Sequence, residues 1–273
     1  MFDPRDPWQK LLISVLQLGT IDYATGLSLQ QRLVELRKDG RIGDVLLLLE
    51  HSAVITLGRN GKPTNILASA ELLSERGVEV FDCDRGGDVT FHGPGQIVGY
   101  PIFDLRRFPT PDDKRKTLGA IEYVRRLEEV LIRTCADFAI PTKRICGLTG
   151  VWTDARTETN DEAKIAAIGV HISRGVTSHG FALNVSTDLD YFKLIIPCGI
   201  TAKPVTSMAR ELKRHLSSQQ VAHSLSRNFG LIFESQMLWL ENLDALLRRP
   251  VGVPVKPPAE LRQLHEEEDT FWA

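Results

Sequence analysis

Over residues 118–138, apolar Leu118, Ile121, Val124, Leu127, Leu131 and Phe138 fall on one helical face, and Pro141 closes the run. A helix of that length with one apolar face must lay that face on something. The segments around it read as strands: 45–49, 53–57, 78–81, 97–103, 164–172 and 181–185. Further helices are expected over 23–36, stopped by Asp39-Gly40, over 70–76, closed by Gly77, and over 207–215 and 220–233. Segments 45–49 and 53–57 read as a hairpin joined through Glu50-His51, and 164–172 and 181–185 as strands linked by a turn at Arg174-Gly175. No fixed-period repeat is visible, so the expected class is α/β (α+β), a mixed β-sheet flanked by helices.

The chain has 273 residues, 42% hydrophobic and 25% charged, which suits a globule with a sizeable core. Thirty-three Lys and Arg stand against 35 Asp and Glu, so the balance suggests neither a nucleic-acid binder nor attachment to an anionic membrane. The apolar stretch 11–15 is too short to span a membrane, and Asp3, Asp6 and Lys10 before it do not suit a signal peptide; a cytoplasmic protein is expected. Cys83, Cys135, Cys146 and Cys198 form no CxxC pair, which argues against disulfides and a zinc cluster. Residues 1–238 are expected to form one catalytic domain. Residues 239–273, with Pro250, Pro254, Pro257, Pro258 and the acidic run Glu266 to Asp269, read as an appendage.

Three features offer chemistry. Residues 85–96 hold four glycines and a proline between two strands, a composition that lets backbone approach a ligand and aim N–H groups at it. The Gly-Lys-Ser/Thr ending of a phosphate loop is absent, and an ordinary long turn remains an alternative. Cys198 sits between Pro197 and Gly199, in a loop where substrate can reach a thiol, although buried structural cysteines are common. A thiol needs a cation or base beside it to react at neutral pH; Lys164, His92, His171 and His179 are the candidates, and spacing alone does not choose among them.

Leu57-Gly58-Arg59, the 85–96 segment RGGDVTFHGPGQ, Thr149-Gly150-Val151-Trp152, the strand from Lys164 to Val170, HGFALNV from His179 to Val185, and Pro197-Cys198-Gly199 occur together in an order that resembles the bacterial octanoyltransferases of the LipB family. The resemblance spans residues 45–212. It implies the catalytic fold of biotin and lipoate protein ligases. It also implies that Cys198 attacks octanoyl-acyl carrier protein and that Lys164 favours the thiolate. Arg85, Gly86, Gly87, Asp88, Val89, Thr90, Phe91, His92, Ala167, Ile168, Gly169, His179, Gly180, Phe181 and Ala182 match the substrate-contacting segments. The acceptors it implies are lipoyl domains of 2-oxoacid dehydrogenase complexes and the glycine cleavage H protein; no metal or cofactor is implied. The chain departs from the family at Phe91, where Tyr is frequent, and in a long polar stretch over residues 154–162.

Acyl carrier proteins are acidic, so a basic docking patch is expected among Arg106, Arg107, Lys114, Arg115, Lys116, Arg125 and Arg126. The rival functions are an ATP-dependent lipoate or biotin ligase, an amidotransferase moving octanoyl or lipoyl groups between protein lysines, and a non-catalytic acyl-binding protein.

Overall fold

A computed structural model describes residues 11–110, 117–154, 162–197 and 203–247. Cys198 and Lys114 to Lys116 lie outside them. The strands are β1 (Leu11–Ile21), β2 (Asp44–His51), β3 (Val54–Leu57), β4 (Glu79–Asp82), β5 (Val89–His92), β6 (Gln96–Ile102), β7 (Thr142–Ile145), β8 (Leu148–Thr153), β9 (Lys164–Ser173), β10 (Val176–Asn184) and β11 (Ser235–Trp239). The helices are α1 (Tyr23–Lys38), α2 (Ala70–Glu75), α3 (Ala120–Asp137), α4 (Met208–Leu212), α5 (Ser218–Ile232) and α6 (Leu243–Leu247).

Eight strands form one sheet in the order β11-β1-β2-β6-β10-β9-β8-β7, and β4-β3-β5 form a second, small one. In the large sheet β11, β1 and β2 run parallel, while β6, β10, β9, β8 and β7 pair antiparallel. The apolar run in β2 explains its central place. Leu46 and Leu48 enter the core under α3 and α5, whereas Val45, Leu47 and Leu49 enter the core under α1. With both faces buried, β2 needs partners on both sides. The expected hairpin of 45–49 with 53–57 therefore does not form: β2 pairs with β1 and β6, and β3 turns away into the small sheet.

Local sequence sets the helix ends. Asp22 caps α1 by accepting from the Thr25 N–H at 2.8 Å. Gly40, with φ +69, and Gly77, with φ +61, take the left-handed positions after α1 and α2. The amphipathic α3 ends at Asp137, before Pro141, because Ala139 takes a left-handed φ of 60 and Ile140 N–H returns to the Cys135 carbonyl. Packing continues past Leu238: β11 pairs with β1, and Leu240, Leu243 and Leu246 join the core under α1.

One buried ionic group ties these parts together. Arg37, in the last turn of α1, donates to Asp44 at 2.8 Å, and Asp44 also accepts from the backbone N–H of Asp104 after β6. Asp44 is fully buried and Arg37 is 6% exposed. Replacing Asp44 with Ala leaves a guanidinium buried beside its lost partner and is expected to destabilise the fold by about 3–5 kcal/mol. Chemical denaturation measures this; an unchanged midpoint would refute the role given to Asp44.

Candidate active site

The small sheet folds over the large one along β9 and β10, and a cleft lies between them. Strand alternation decides which side chains enter it. In β5, Val89 and Phe91 point into the small sheet's own core, where Phe91 stacks on Tyr191 at 4.7 Å. Thr90 faces the cleft, and His92 bonds Gln96 in its wall. Phe91, the departure from the family pattern, is thus a core residue.

The same rule divides the large sheet. Ala167 and Ala182 stand directly opposite one another across β9 and β10, and both line the cleft. The next pair, Ile168 and Phe181, faces the other way into the core beneath α3 and α5, with Phe181 stacked on Phe229 at 5.8 Å. Gly169 and Gly180 are also paired. A Cβ on Gly169 would come within 2.7 Å of the Gly86 carbonyl, so this glycine lets the glycine-rich loop lie on β9.

That loop is knitted internally. Arg85 donates to the carbonyl of Thr56 at 2.7 Å, to its hydroxyl at 2.9 Å, and to the carbonyl of Asp88 at 2.6 Å. Asp88 accepts from the N–H groups of Lys62 and Val89 and from the Asn65 amide. Gly86 N–H donates to the Val170 carbonyl, and Gly87 has φ +92, a conformation that suits glycine. Arg85 and Asp88, nominated as substrate contacts, hold backbone in this structure and act as the loop's struts.

A line of hydrogen bonds runs behind the cleft. His92 Nδ1–H donates to Gln96 Oε1 at 2.7 Å; the Gln96 amide donates to Asn184 Oδ1 at 2.8 Å; the Asn184 amide donates to the Thr206 carbonyl at 2.9 Å. The segment it reaches lies alongside Lys164, whose N–H donates to the Pro204 carbonyl and whose carbonyl accepts from Thr206 N–H. Burial, assisted by the Arg85 charge, pushes His92 down to about 3, so it is neutral at ordinary pH. His51 donates to the Ile21 carbonyl and accepts from the Tyr100 hydroxyl at 2.7 Å; burial lowers its pKa as well.

Lys164 opens β9 at 7% exposure, with Nζ 4.7 Å from the centroid of the Trp152 ring. It lines the cleft together with Pro197, which is peptide-bonded to Cys198. His179 is elsewhere. It pairs with Val170, six residues along β9 from Lys164, which is about 20 Å at the rise of a strand. There its Nε2 meets Asp84 Oδ1 at 2.7 Å, and Asp84 also lies 3.7 Å from His171. Burial lowers the His179 pKa against the pull of Asp84.

Gln96, Asn184, His51, Tyr100 and Trp152 are not among the site residues expected from sequence. Gln96, Asn184 and Trp152 lie inside the quoted motifs, which is the signal that marks them, whereas His51 reads in sequence as part of a turn. The described part of the basic patch is engaged with acids: Arg106 with Asp104, Arg107 with Asp44, Arg125 with Glu128 and Arg126 with Glu122. Moreover, α3, which carries Arg125 and Arg126, covers the face of the sheet opposite the cleft. Among the described residues no cluster of His, Cys, Asp and Glu could hold a metal, and no helix is long and apolar enough to cross a membrane.

Comparison with known proteins shows the family and the fold. The family described as lipoyl protein ligase A/B catalytic domain matches residues 22–230. An octanoyltransferase of Koribacter versatilis is 62% identical over 257 residues, covering 94% of this chain and 98% of that protein. One from Acidobacterium capsulatum is 57% identical over 239 residues, covering 87% and 96%. Among solved structures, the bipartite lipoate protein ligase of Thermoplasma acidophilum superposes with TM-score 0.65 at 16% identity over 87% of this chain and 91% of that one. A lipoate-protein ligase A bound with ATP gives 0.62 at 15% identity over 88% and 93%. The ligase structures share the fold, the close relatives share the sequence as well, and the chain belongs to the octanoyltransferase family of acyltransferases.

Proposed function

We propose that this protein takes an octanoyl group from octanoyl-acyl carrier protein onto Cys198 and passes it to a lysine of a lipoyl domain, the first step in making lipoate in place. The observation that carries the reading is the cleft itself. Ala167 and Ala182 form its wall, Lys164 lines it, and Pro197 brings the chain to within one peptide bond of Cys198. Two alanines keep that wall free of large side chains, and burial of an alkyl chain against it would contribute about 0.8 kcal/mol per methylene.

The chemistry is two acyl exchanges. The Cys198 thiolate adds to the donor thioester carbonyl; the tetrahedral intermediate collapses with cleavage of the bond to the carrier sulfur, which leaves and takes up a proton. The acceptor lysine, deprotonated to the free amine, then adds to the new thioester; the tetrahedral intermediate collapses with loss of the Cys198 thiolate, and the second proton lost from the nitrogen as the amide forms passes to solvent or to that thiolate. Thioester exchange is nearly neutral and amide formation is downhill, so the sequence needs no ATP. The lysine charge at the cleft favours the thiolate. Lipoyl domains of 2-oxoacid dehydrogenase complexes and the glycine cleavage H protein are the acceptors of this reading, in the cytoplasm where the carrier is loaded.

Intact-protein mass spectrometry after incubation with octanoyl-acyl carrier protein, without ATP, tests the proposal. The wild type is expected to gain an octanoyl mass that hydroxylamine removes, and Cys198→Ser is expected to gain none. An unmodified wild type in the presence of loaded carrier would sink the reading, and turnover only with ATP and free octanoate or lipoate would favour a ligase. Lys164→Met is expected to slow acylation at neutral pH by at least about tenfold, since an unassisted thiol is only a few per cent thiolate there; an unchanged single-turnover rate would remove Lys164 from the mechanism.

The neutral histidine behind the cleft gives a pH dependence of stability. His92 is lowered to about 3 in the fold, against 6.5 for an imidazole free in water. Between those values the unfolded chain binds a proton that the folded one refuses, so stability falls as pH drops from 6.5 toward 3. His92→Gln is expected to flatten that slope in denaturation midpoints measured across the window; an identical slope would refute the assignment.

A further inference from the structure

The segment that leaves the cleft wall carries cations that no described acid answers. Val205 lines the cleft, the Thr206 carbonyl accepts from the Asn184 amide, and Ser207 then caps α4 by accepting from Arg210 N–H. Ala209 N–H donates to the Val185 carbonyl just past β10, which pins α4 to the end of the large sheet. Met208, Leu212 and Leu216 turn into the core beneath α3 and α5, whereas Arg210, Lys213, Arg214 and His215 are exposed. The turn is therefore anchored on its inner side and charged on its outer side.

Arg210, Lys213 and Arg214 make no ion pair and no side-chain hydrogen bond with a described residue. Glu211, the one acid in residues 208–217, is turned inward onto the Thr206 hydroxyl at 2.6 Å. The contrast with the other arginine clusters is sharp, since Arg106, Arg107, Arg125 and Arg126 each face a carboxylate. Lys213 moreover ends α4 at φ +52, the left-handed position that glycine takes after α1 and α2, and Arg214 N–H returns to the Ala209 carbonyl. A cation thus stands where glycine is the relaxed choice. Three cations in five residues, held by buried neighbours on either side, make a local positive field on a chain whose net charge is −2.

We propose that this turn, Arg210 to Arg214, is the docking surface for the acidic carrier protein that brings the octanoyl group. The inference rests on that carrier being the donor. A carrier presents its thioester on a flexible pantetheine arm, so its folded body docks beside the cleft and not within it. Arg210 is separated from Val205 by at most about 18 Å of chain. Exposed cations in such a place steer the encounter and fix the orientation of an acidic partner.

The test is steady-state transfer with two donors, octanoyl-acyl carrier protein and octanoyl-pantetheine, which has the arm without the protein body. The variant Arg210→Glu, Lys213→Glu, Arg214→Glu is expected to raise the KM for the carrier donor about tenfold at about 0.1 M salt and to leave that for octanoyl-pantetheine unchanged. Raising the salt to about 1 M is expected to bring wild type and variant together. Binding of the unloaded carrier, read by fluorescence anisotropy, is expected to weaken by the same factor and needs no turnover. Should the triple variant not fold, Arg210→Gln with Arg214→Gln, which leaves Lys213 in its turn, is expected to raise the carrier KM about threefold. An unchanged carrier KM and affinity, an equal loss with both donors, or a rise confined to the lipoyl-domain acceptor overturns the inference. Acylation of the wild type separates the two readings: if the carrier acylates Cys198 and the variants are indifferent, only the docking surface falls; if the carrier never acylates Cys198, both fall.

Discussion

The register of β9 against β10 governs what the cleft can hold. Because Ala167 is opposite Ala182 and Ile168 opposite Phe181, the small side chains face the small sheet and the large ones face α3 and α5. A slip of one residue would exchange the two sets, filling the cleft with an isoleucine and a phenylalanine and emptying the core. The register is secured where the strands meet other parts: Gly180 lets β10 approach the Gly99 carbonyl and Pro101, and Asn184 ties the end of β10 to Gln96 and Thr206.

The two electrostatic regimes at this site are kept apart by geometry. Histidines buried behind the cleft are held neutral and spend their ring nitrogens on fixed partners, Gln96, Ile21 and Tyr100. The lysine in the cleft lies over an aromatic face. Buried imidazoles with fixed partners therefore border the side chains that line the cleft.

Much of this was legible in the sequence where punctuation is strong. Gly40 and Gly77 closed α1 and α2 where expected, and Arg174-Gly175 made the turn between β9 and β10. Several strands are not among those expected: Thr142–Ile145 carries Lys143 and Arg144 on an edge, β5 lies inside a glycine-rich segment that reads as loop, and the long apolar β1 starts in a stretch that reads only as too short for a membrane span. Sequence adjacency misled at β2 and β3, although five consecutive apolar residues without alternation already described a strand covered on both faces. At the site, the motifs group these segments but do not say which way each residue points. They give Phe91, Ile168 and Phe181 the same standing as Thr90, Ala167 and Ala182, and only the pleat separates them.

The cleft runs along a seam. One wall is the small sheet, the other belongs to the large sheet, and among the described residues no ladder of paired strands crosses from one to the other. The crossing contacts are single bonds and packed side chains, such as Gly86 N–H on the Val170 carbonyl and His92 on Gln96. The width of the slot is therefore set by tilt of one sheet against the other and not by bending either. An acyl chain can part the walls as a wedge parts two boards, with each board staying flat.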